Sequence, residues 1–259
     1  MNWSRTKSIF ILVFLVLNSF LGYQLWEKIQ TRPLELAQLS EGSVEELLAL
    51  RNISLETELQ AEQPELSQLN AQFLTNVFED FENLQNQSLL FQENMLISQF
   101  HDPILLEEGQ EQDIRPLVEP YIHRFEQYEL DQWAGDSILF LQKVEGHPIF
   151  IGGIEFYVNQ VEEELFLTGY EQTYYQVVNM GTKQPTISSY TSIRTLLDNQ
   201  AIPYFSTIVD VRLGYYGQVY EVEGQVLTPA WRIMIETDDR VRMIYVNAIT
   251  GAIETEYTR

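Results

Sequence analysis

The run Ile9–Trp26 constrains this chain more than any other feature, because it carries no charge and decides where the remaining residues reside. Arg5 and Lys7 precede it, and Glu27 and Lys28 follow. At ~1.5 Å rise per residue it spans about 27 Å as a helix, close to the hydrocarbon thickness of one bilayer. Tyr23 and Trp26 stand at its far end, where amphipathic aromatics favour the headgroup layer. The basic residues before the run hold that side in the cytoplasm, so the rest of the chain is expected outside. A cleaved signal peptide shares the basic start, but its apolar core covers only ~7–15 residues and ends in small residues. No small-x-small pair follows Asn18, and a buried soluble helix would show a broader polar face than Asn18, Ser19 and Gln24. The expected layout is a cytoplasmic start over 1–8, a membrane anchor over 9–26 and a linker over 27–42.

Asn18 and Gly22 are four residues apart, with Ser19 beside them on the same helix face. In lipid, small residues that allow close backbone approach and polar groups that hydrogen-bond across helices drive pairing. Asn18, Ser19 and Gly22 are therefore the candidate partner-binding seam of the anchor.

Charge narrows the functions open to the exported part. The whole chain carries −23, and with Arg5 and Lys7 left inside the remainder carries −25. A nucleic-acid-binding protein needs a basic footprint, which is missing here, and anionic headgroups or wall polyanions would repel such a surface. Cysteine is absent, which removes disulfides, thiol catalysis and thiolate metal sites. The hydrophobic fraction of 45% is that of a folded protein rather than a disordered tail.

Beyond the linker, Ser43 with Glu46 reads as a capping box opening a short helix with an apolar stripe through Val44, Leu47 and Leu48. Strand-like text follows over Ser54–Gln60, Phe73–Phe81 and Leu89–Phe100. Gln110–Leu130 reads as an amphipathic helix, with Ile114, Leu117, Val118, Tyr121, Ile122, Phe125 and Tyr128 at intervals of three and four, although Pro120 interrupts it. Ser137–Val144, Pro148–Val158 and Glu164–Thr168 read as strands, the last stopped by Gly169. The segment Val178–Ser189 carries Gly181 and Pro185 and marks the expected domain boundary. A second helix starts at Ser192, and Tyr204–Tyr216, Ala230–Glu236, Arg240–Ala248 and Ala252–Tyr257 read as antiparallel strands.

The two helix starts match each other. Ser43-Val44-x-x-Leu47-Leu48-x-x-x-x-Ile53 repeats as Ser192-Ile193-x-x-Leu196-Leu197-x-x-x-x-Ile202. The expected fold is α+β: one N-terminal transmembrane helix, then an ectodomain of two helix-plus-antiparallel-sheet units over 43–180 and 181–259.

No catalytic constellation stands out. His101, His123 and His147 form no ligand-spaced pair, and His123 near Glu119 and Glu126 is only a loose hint of a metal site. Neither H-E-x-x-H, G-x-S-x-G nor a phosphate loop occurs. Pairs such as Glu107/Glu108 and Asp238/Asp239 are uninformative in so acidic a chain. Tyr174/Tyr175 and Tyr215/Tyr216 suit sheet faces, or stacking against sugars or a partner. The expectation is a protein without enzyme activity, metal or cofactor.

The opening Met1-Asn2-Trp3-Ser4-Arg5-Thr6-Lys7-Ser8-Ile9-Phe10, with Leu17-Asn18-x-Phe20-Leu21-x-Tyr23-Gln24, resembles that of the YycI family. The likeness continues through Trp231-Arg232-Ile233 and Tyr245-Val246-Asn247-Ala248-Ile249-Thr250-Gly251, a segment also similar to the closing hairpin of PepSY-type domains. The resemblance implies a single-pass cell-membrane protein that works beside YycH. It implies contact with the WalK (YycG) sensor histidine kinase through transmembrane helices, modulating the WalK/WalR system and hence cell-wall metabolism in Gram-positive bacteria. The competing readings are an anchored cell-wall-binding module and a PepSY-like inhibitor of an extracellular peptidase. Protease shaving of protoplasts checks the topology: residues after Glu27 are expected to be degraded, and an ectodomain that stays protected would overturn it.

Overall fold

The computed structural model describes residues 7, 10–23, 41–73, 84–92, 94–106, 114–134, 136–217, 224–238 and 240–258. Residues 10–23 are helical and exposed. No helix among the described residues is long and apolar enough to cross a membrane; Ile9 and Gln24–Trp26 of the expected span lie outside the described residues.

The remainder is a mixed α+β structure with two large sheets and few helices. Helix α1 covers Glu41–Leu50, α2 is the single turn Arg115–Val118, and α3 covers Ser189–Asp198. The first sheet is built on β13 (Thr207–Tyr216), β14 (Gly224–Thr237), β15 (Arg240–Asn247) and β16 (Ile253–Thr258), all antiparallel. Strand β1 (Ser54–Leu55) pairs parallel to β13. The early part of β14 pairs with β3 (Leu69–Phe73), and β3 with β11 (Tyr175–Met180). Strands from both sides of residue 180 therefore share this sheet. The second sheet has the order β4-β5-β10-β9-β7-β6: Gln87–Gln92, Met95–Leu106, Glu164–Gln172, Ile154–Val161, Ser137–Val144 and Tyr128–Ala134. Of the two-residue strands, β2 (Glu65–Leu66) pairs with β12 (Gln184–Pro185), and β8 (His147–Pro148) pairs with β7.

Burial along β14 shows how the layers stack. Ala230, Trp231, Arg232 and Ile233 are buried in succession, so both faces of the strand are covered. Trp231, Ile233 and Ile235 join Val44 and Leu48 of α1 and Ile193, Leu196 and Leu197 of α3 in one core. The opposite face, with Ala230 and Arg232, meets the second sheet. The second sheet's outer face, with Phe140, Phe156 and Tyr170, is covered by Ile114, Val118, Ile122 and Phe125.

Both helices thus lie on the same sheet, side by side. Arg51 donates from Nη1 to the Leu197 carbonyl (2.7 Å), tying the end of α1 to the end of α3, where the negative end of the helix dipole favours a cation. Helix α3 begins earlier than expected. Ser188 caps it by accepting from the Thr191 amide, while Ser192 is interior and donates to the Ser188 carbonyl. The Ser43 side chain lies outside the described residues.

The largest departure from expectation is Gln110–Leu130, which is not one helix. Its described part is the α2 turn followed by 3-10 turns at Glu119–Tyr121 and Phe125–Gln127, and β6 starts at Tyr128. Pro120 supplies no amide for a continuing ladder, and Arg124 sits at φ 52, which ends any helix. The apolar spacing recorded a face buried against the sheet, not a helix. Leu89–Phe100 is a hairpin rather than one strand, with β4 and β5 paired from Gln87–Phe100 to Gln92–Met95. Gly169 does not stop β10 but follows a bulge at 168, and glycine stands there because a Cβ would strike the Ser98 carbonyl. Only Ser54–Leu55 of the Ser54–Gln60 stretch is strand, and residues 74–81 of the expected strand Phe73–Phe81 lie outside the described residues.

Buried phenols make the folded state sensitive to alkali. Burial raises the pKa of Tyr128, Tyr170 and Tyr175 above the ordinary value of 10, and pushes Tyr215 up to about 12. In the unfolded chain these phenols ionise near 10. Their stabilising effect is therefore complete below pH ~10 and is lost as pH rises through the folded values, by about 1.4 kcal/mol per unit for each group. Phenolate absorbance is expected to lag in the folded protein and then to rise together with loss of circular dichroism above pH ~10. Smooth titration of every tyrosine near 10 with structure retained would contradict this.

Candidate functional site at the sheet interface and on the anchor

Two β-bulges aim charged side chains into the space between the sheets. In β13, Ile208 pairs with Ile235 but Asp210 pairs with Met234, so one extra residue enters at 209. Asp210 and Arg212 then share the face of Arg232, while Ile208, Val211 and Leu213 all point to the helix-covered core. In β6 the register shifts between Leu130 and Gln132. Leu130 and Trp133 pack on one face, Glu129 and Gln132 lie across from Leu141 and Leu139, and Asp131 is the extra residue.

Arg232 is the centre of the resulting cluster. Its guanidinium donates to both Asp131 oxygens, from Nη1 to Oδ2 (2.7 Å) and from Nη2 to Oδ1 (2.8 Å), and from Nη2 to Asp210 Oδ2 (2.9 Å). It also lies over the Phe150 ring at 4.9 Å. The Asp131 side chain is fully buried and that of Arg232 is 4% exposed. Arg212 donates to Asp131 (3.2 Å) and pairs with Glu129, which also meets Lys143 at 3.3 Å. Three cations face three carboxylates, so charge is balanced. Burial pulls the Arg232 pKa down, but the hydrogen bonds and charges of Asp131 and then Asp210 outweigh it and hold it above the usual value. Arg212 goes the other way, lowered by burial and by the neighbouring charge of Arg232.

Beside the cluster lies a cleft of about 670 Å³. Arg232, Phe150, Leu139, Leu141, Met95, Met243 and the stacked pair Tyr216/Tyr245 (centroids 4.1 Å apart) form much of its wall. Phe150 can approach because residue 214 is glycine: a Cβ there would come within 2.6 Å of the Phe150 ring. Gln142 joins the sheets nearby, its amide donating to the Tyr175 carbonyl and accepting from the Tyr175 amide, both at 2.8 Å.

The residues singled out from sequence fall in different places. Tyr175 and Tyr216 line the cleft, Tyr215 is buried in a cluster with Leu69, Phe73 and Ile149, and the Tyr174 hydroxyl meets Arg124 and Gln127. His101 contacts Ser88, and the His123 ring stands edge-on to Tyr174. With no continuous helix over 119–126, the spacing of His123 to Glu119 and Glu126 loses its meaning. Among the described residues no group of three or more His, Asp or Glu could hold a metal. On the helix 10–23, Asn18 donates to the Phe14 carbonyl (3.0 Å), and a Cβ on Gly22 would meet nothing within 4 Å. Asn18, Ser19 and Gly22 are exposed. The cluster around Arg232 was missed from sequence, because Asp131 lies 101 residues away. The visible signal was a spacing of three inside strands, at Leu130/Trp133 and Ile208/Val211.

Removing one member of the buried pair leaves a bare charge. Asp131→Ala is expected to cost about 3–5 kcal/mol, read from the denaturant midpoint. The combined Asp131→Leu and Arg232→Met change should recover much of that loss, since an apolar pair of similar volume replaces both charges.

Comparison with known proteins agrees with the sequence resemblance. The family model "YycI protein" matches residues 34–249. No curated protein matches. Among solved structures, an uncharacterized protein from Eubacterium rectale ATCC 33656 is 10% identical with a TM-score of 0.41, covering 79% of this chain and 91% of that one. The YpeB C-terminal domain of Bacillus megaterium is 11% identical with a TM-score of 0.40, covering 85% of this chain and 97% of that one. With most of its length matched by one model, the chain belongs to the YycI family, a membrane-anchored and non-catalytic regulatory family.

Proposed function

We propose that this protein is a single-pass accessory regulator of the WalK (YycG) sensor kinase, acting beside YycH to adjust WalK/WalR control of cell-wall metabolism. The observation that carries the reading is the family match over 34–249 directly behind an uncharged apolar run preceded by Arg5 and Lys7. Contact runs through the anchor, along Asn18, Ser19 and Gly22, and through the ectodomain outside.

In the duplicated helix-plus-sheet description, with units over 43–180 and 181–259, the first unit lends β1, β3 and β11 to the sheet of the second, and the order of elements supports the match of the two helices. Each matched helix is followed by a strand of the same sheet, α1 by β1 and α3 by β13, and those strands are parallel neighbours. The PepSY-like ending has support in the turn after β15. Asn247 Oδ1 accepts from the Ile249 and Thr250 amides, and Gly251 takes φ 72.

In lipid an apolar side chain gains nothing by leaving acyl tails for another helix, so close packing and interhelical hydrogen bonds decide association. One such bond is worth roughly 0.6–2 kcal/mol, about a threefold to thirtyfold change in association. Asn18→Leu with Gly22→Leu is expected to reduce anchor crosslinking to the kinase by that factor and to shift kinase-dependent transcription, with membrane insertion unchanged. Val16→Leu should do little. If a polyleucine span preserved both crosslinking and transcription, the anchor would be only a tether.

A further inference from the structure

At the far end of α1, three large apolar side chains stand out of the surface together. Leu50 is 77% exposed, Tyr204 59% and Phe205 76%. The Phe205 amide donates to the Arg51 carbonyl (3.3 Å), which places Phe205 against the end of α1 beside Leu50. Arg51 is bound to the Leu197 carbonyl and lies 5.8 Å from the centre of the Tyr204 ring.

Phe205 also sits at φ 60, a left-handed conformation that a bulky L-residue seldom adopts. Glycine would suit that backbone without strain. A strained aromatic that is also exposed contributes neither to backbone comfort nor to the core. Strain of this kind persists where the surroundings impose it and gathers at functional positions. Here the imposing contacts are the Arg51 carbonyl, the Ser206 hydroxyl donating to the Pro203 carbonyl, and the pairing of Ser54 with Ser206.

We propose that the Leu50–Tyr204–Phe205 knob is a protein-docking site, with Phe205 as the anchor that enters an apolar pocket rimmed by basic residues on the partner. Two observations favour a protein over a lipid surface. The turn is held by hydrogen bonds on both sides of Phe205, to the Arg51 carbonyl and between Ser54 and Ser206, and a side chain held in one orientation lowers the ordering cost of fitting one shaped pocket but gives no advantage in fluid lipid. The charge is also wrong for an anionic bilayer. The chain carries −23, Glu45 and Glu46 are exposed on α1, and the adjacent cation, Arg51, is turned onto Leu197 and Tyr204. Exposed aromatics held in place are the side chains that dominate binding at interfaces. This site rests on the regulatory reading above and gives it an ectodomain contact separate from the anchor.

The test uses the full-length chain in its native membrane, with the photoreactive benzoylphenylalanine at position 50 as reporter. Irradiation is expected to yield a covalent adduct with another protein's extracellular part, identified by mass spectrometry. Phe205→Gly should lower that yield at least tenfold while leaving the melting temperature of the purified protein unchanged or raised, because the strain is relieved. Phe205→Ala should lower the yield equally. Adducts only with lipid, adducts only with a second copy of this chain, no adduct at all, or a yield unaffected by Phe205→Gly would each overturn the proposal. In the unsubstituted chain, a position-50 adduct without any anchor crosslink to the kinase would sink the transmembrane seam and leave this site standing. Retained anchor crosslinking without the adduct would do the reverse.

Discussion

The bidentate pair of Arg232 with Asp131 fixes how the two sheets of this protein meet. Taking both charges from water costs several kcal/mol per ion, and their attraction offsets this only with near-ideal geometry. That geometry is present: two short parallel hydrogen bonds, a third to Asp210, and a ring beneath the guanidinium. Such a pair adds little stability beyond what well-packed apolar residues would give. What it adds is position. Leu139, Leu141, Tyr216 and Tyr245 make contacts without direction, whereas the two Arg232–Asp131 hydrogen bonds and the one to Asp210 form at only one placement of β6 on β13 and β14.

Both bulges serve that placement. In regular alternation from Ile208, Asp210 would face the core of Trp231 and Ile233, an apolar layer with no partner for a carboxylate, and the bulge at 209 turns it to the other face. Without the irregularity after Leu130, Trp133 would swing from the covered face of the second sheet toward the interface. A register change of one residue inverts every side chain downstream, so each bulge protects a whole strand's pattern. The first sheet is thereby buried on both faces, by helices on one side and the second sheet on the other.

Much of this was legible in the sequence where strands are regular and turns carry their own chemistry. Ser137–Val144 and the strands around the turns at Asp238 and Gly251 follow from alternation, whereas the expected strand Pro148–Val158 is interrupted between β8 and β9, β10 runs past Gly169, and β11 has no counterpart among the expected strands. Helix α3 was legible from its apolar stripe, though its start moved to Ser188 because a run of hydroxyl-bearing residues offers several caps. The region before Tyr128 was not legible, since residues pressed against a sheet by irregular turns repeat at three and four just as a helix does. The pairing of residues 41–73 with strands after 174 was equally hidden. Nothing local records that β3 lies between β11 and β14, because the interactions that place it there are backbone bonds to distant segments. The charged cluster shares that difficulty, as each member looks like an ordinary surface residue in so acidic a chain.

Rigid coupling between the sheets bears on how an accessory subunit of this kind can act. A regulatory protein with no chemistry of its own changes a partner only through different contact energies with that partner's alternative states. A loosely jointed ectodomain would absorb a displacement of its partner rather than resist it. Here Arg232, the Gln142 bridge to Tyr175 and the Phe150 amide bonded to the Tyr215 carbonyl (2.9 Å) join the sheets at separate points. The Arg51 bond to Leu197 joins α1, the first described element after the linker, to α3 on the same sheet. The path from the sheet interface to α1 is thus bonded at several separate points. A few kcal/mol of differential contact at any one surface is enough to invert a two-state population in a partner.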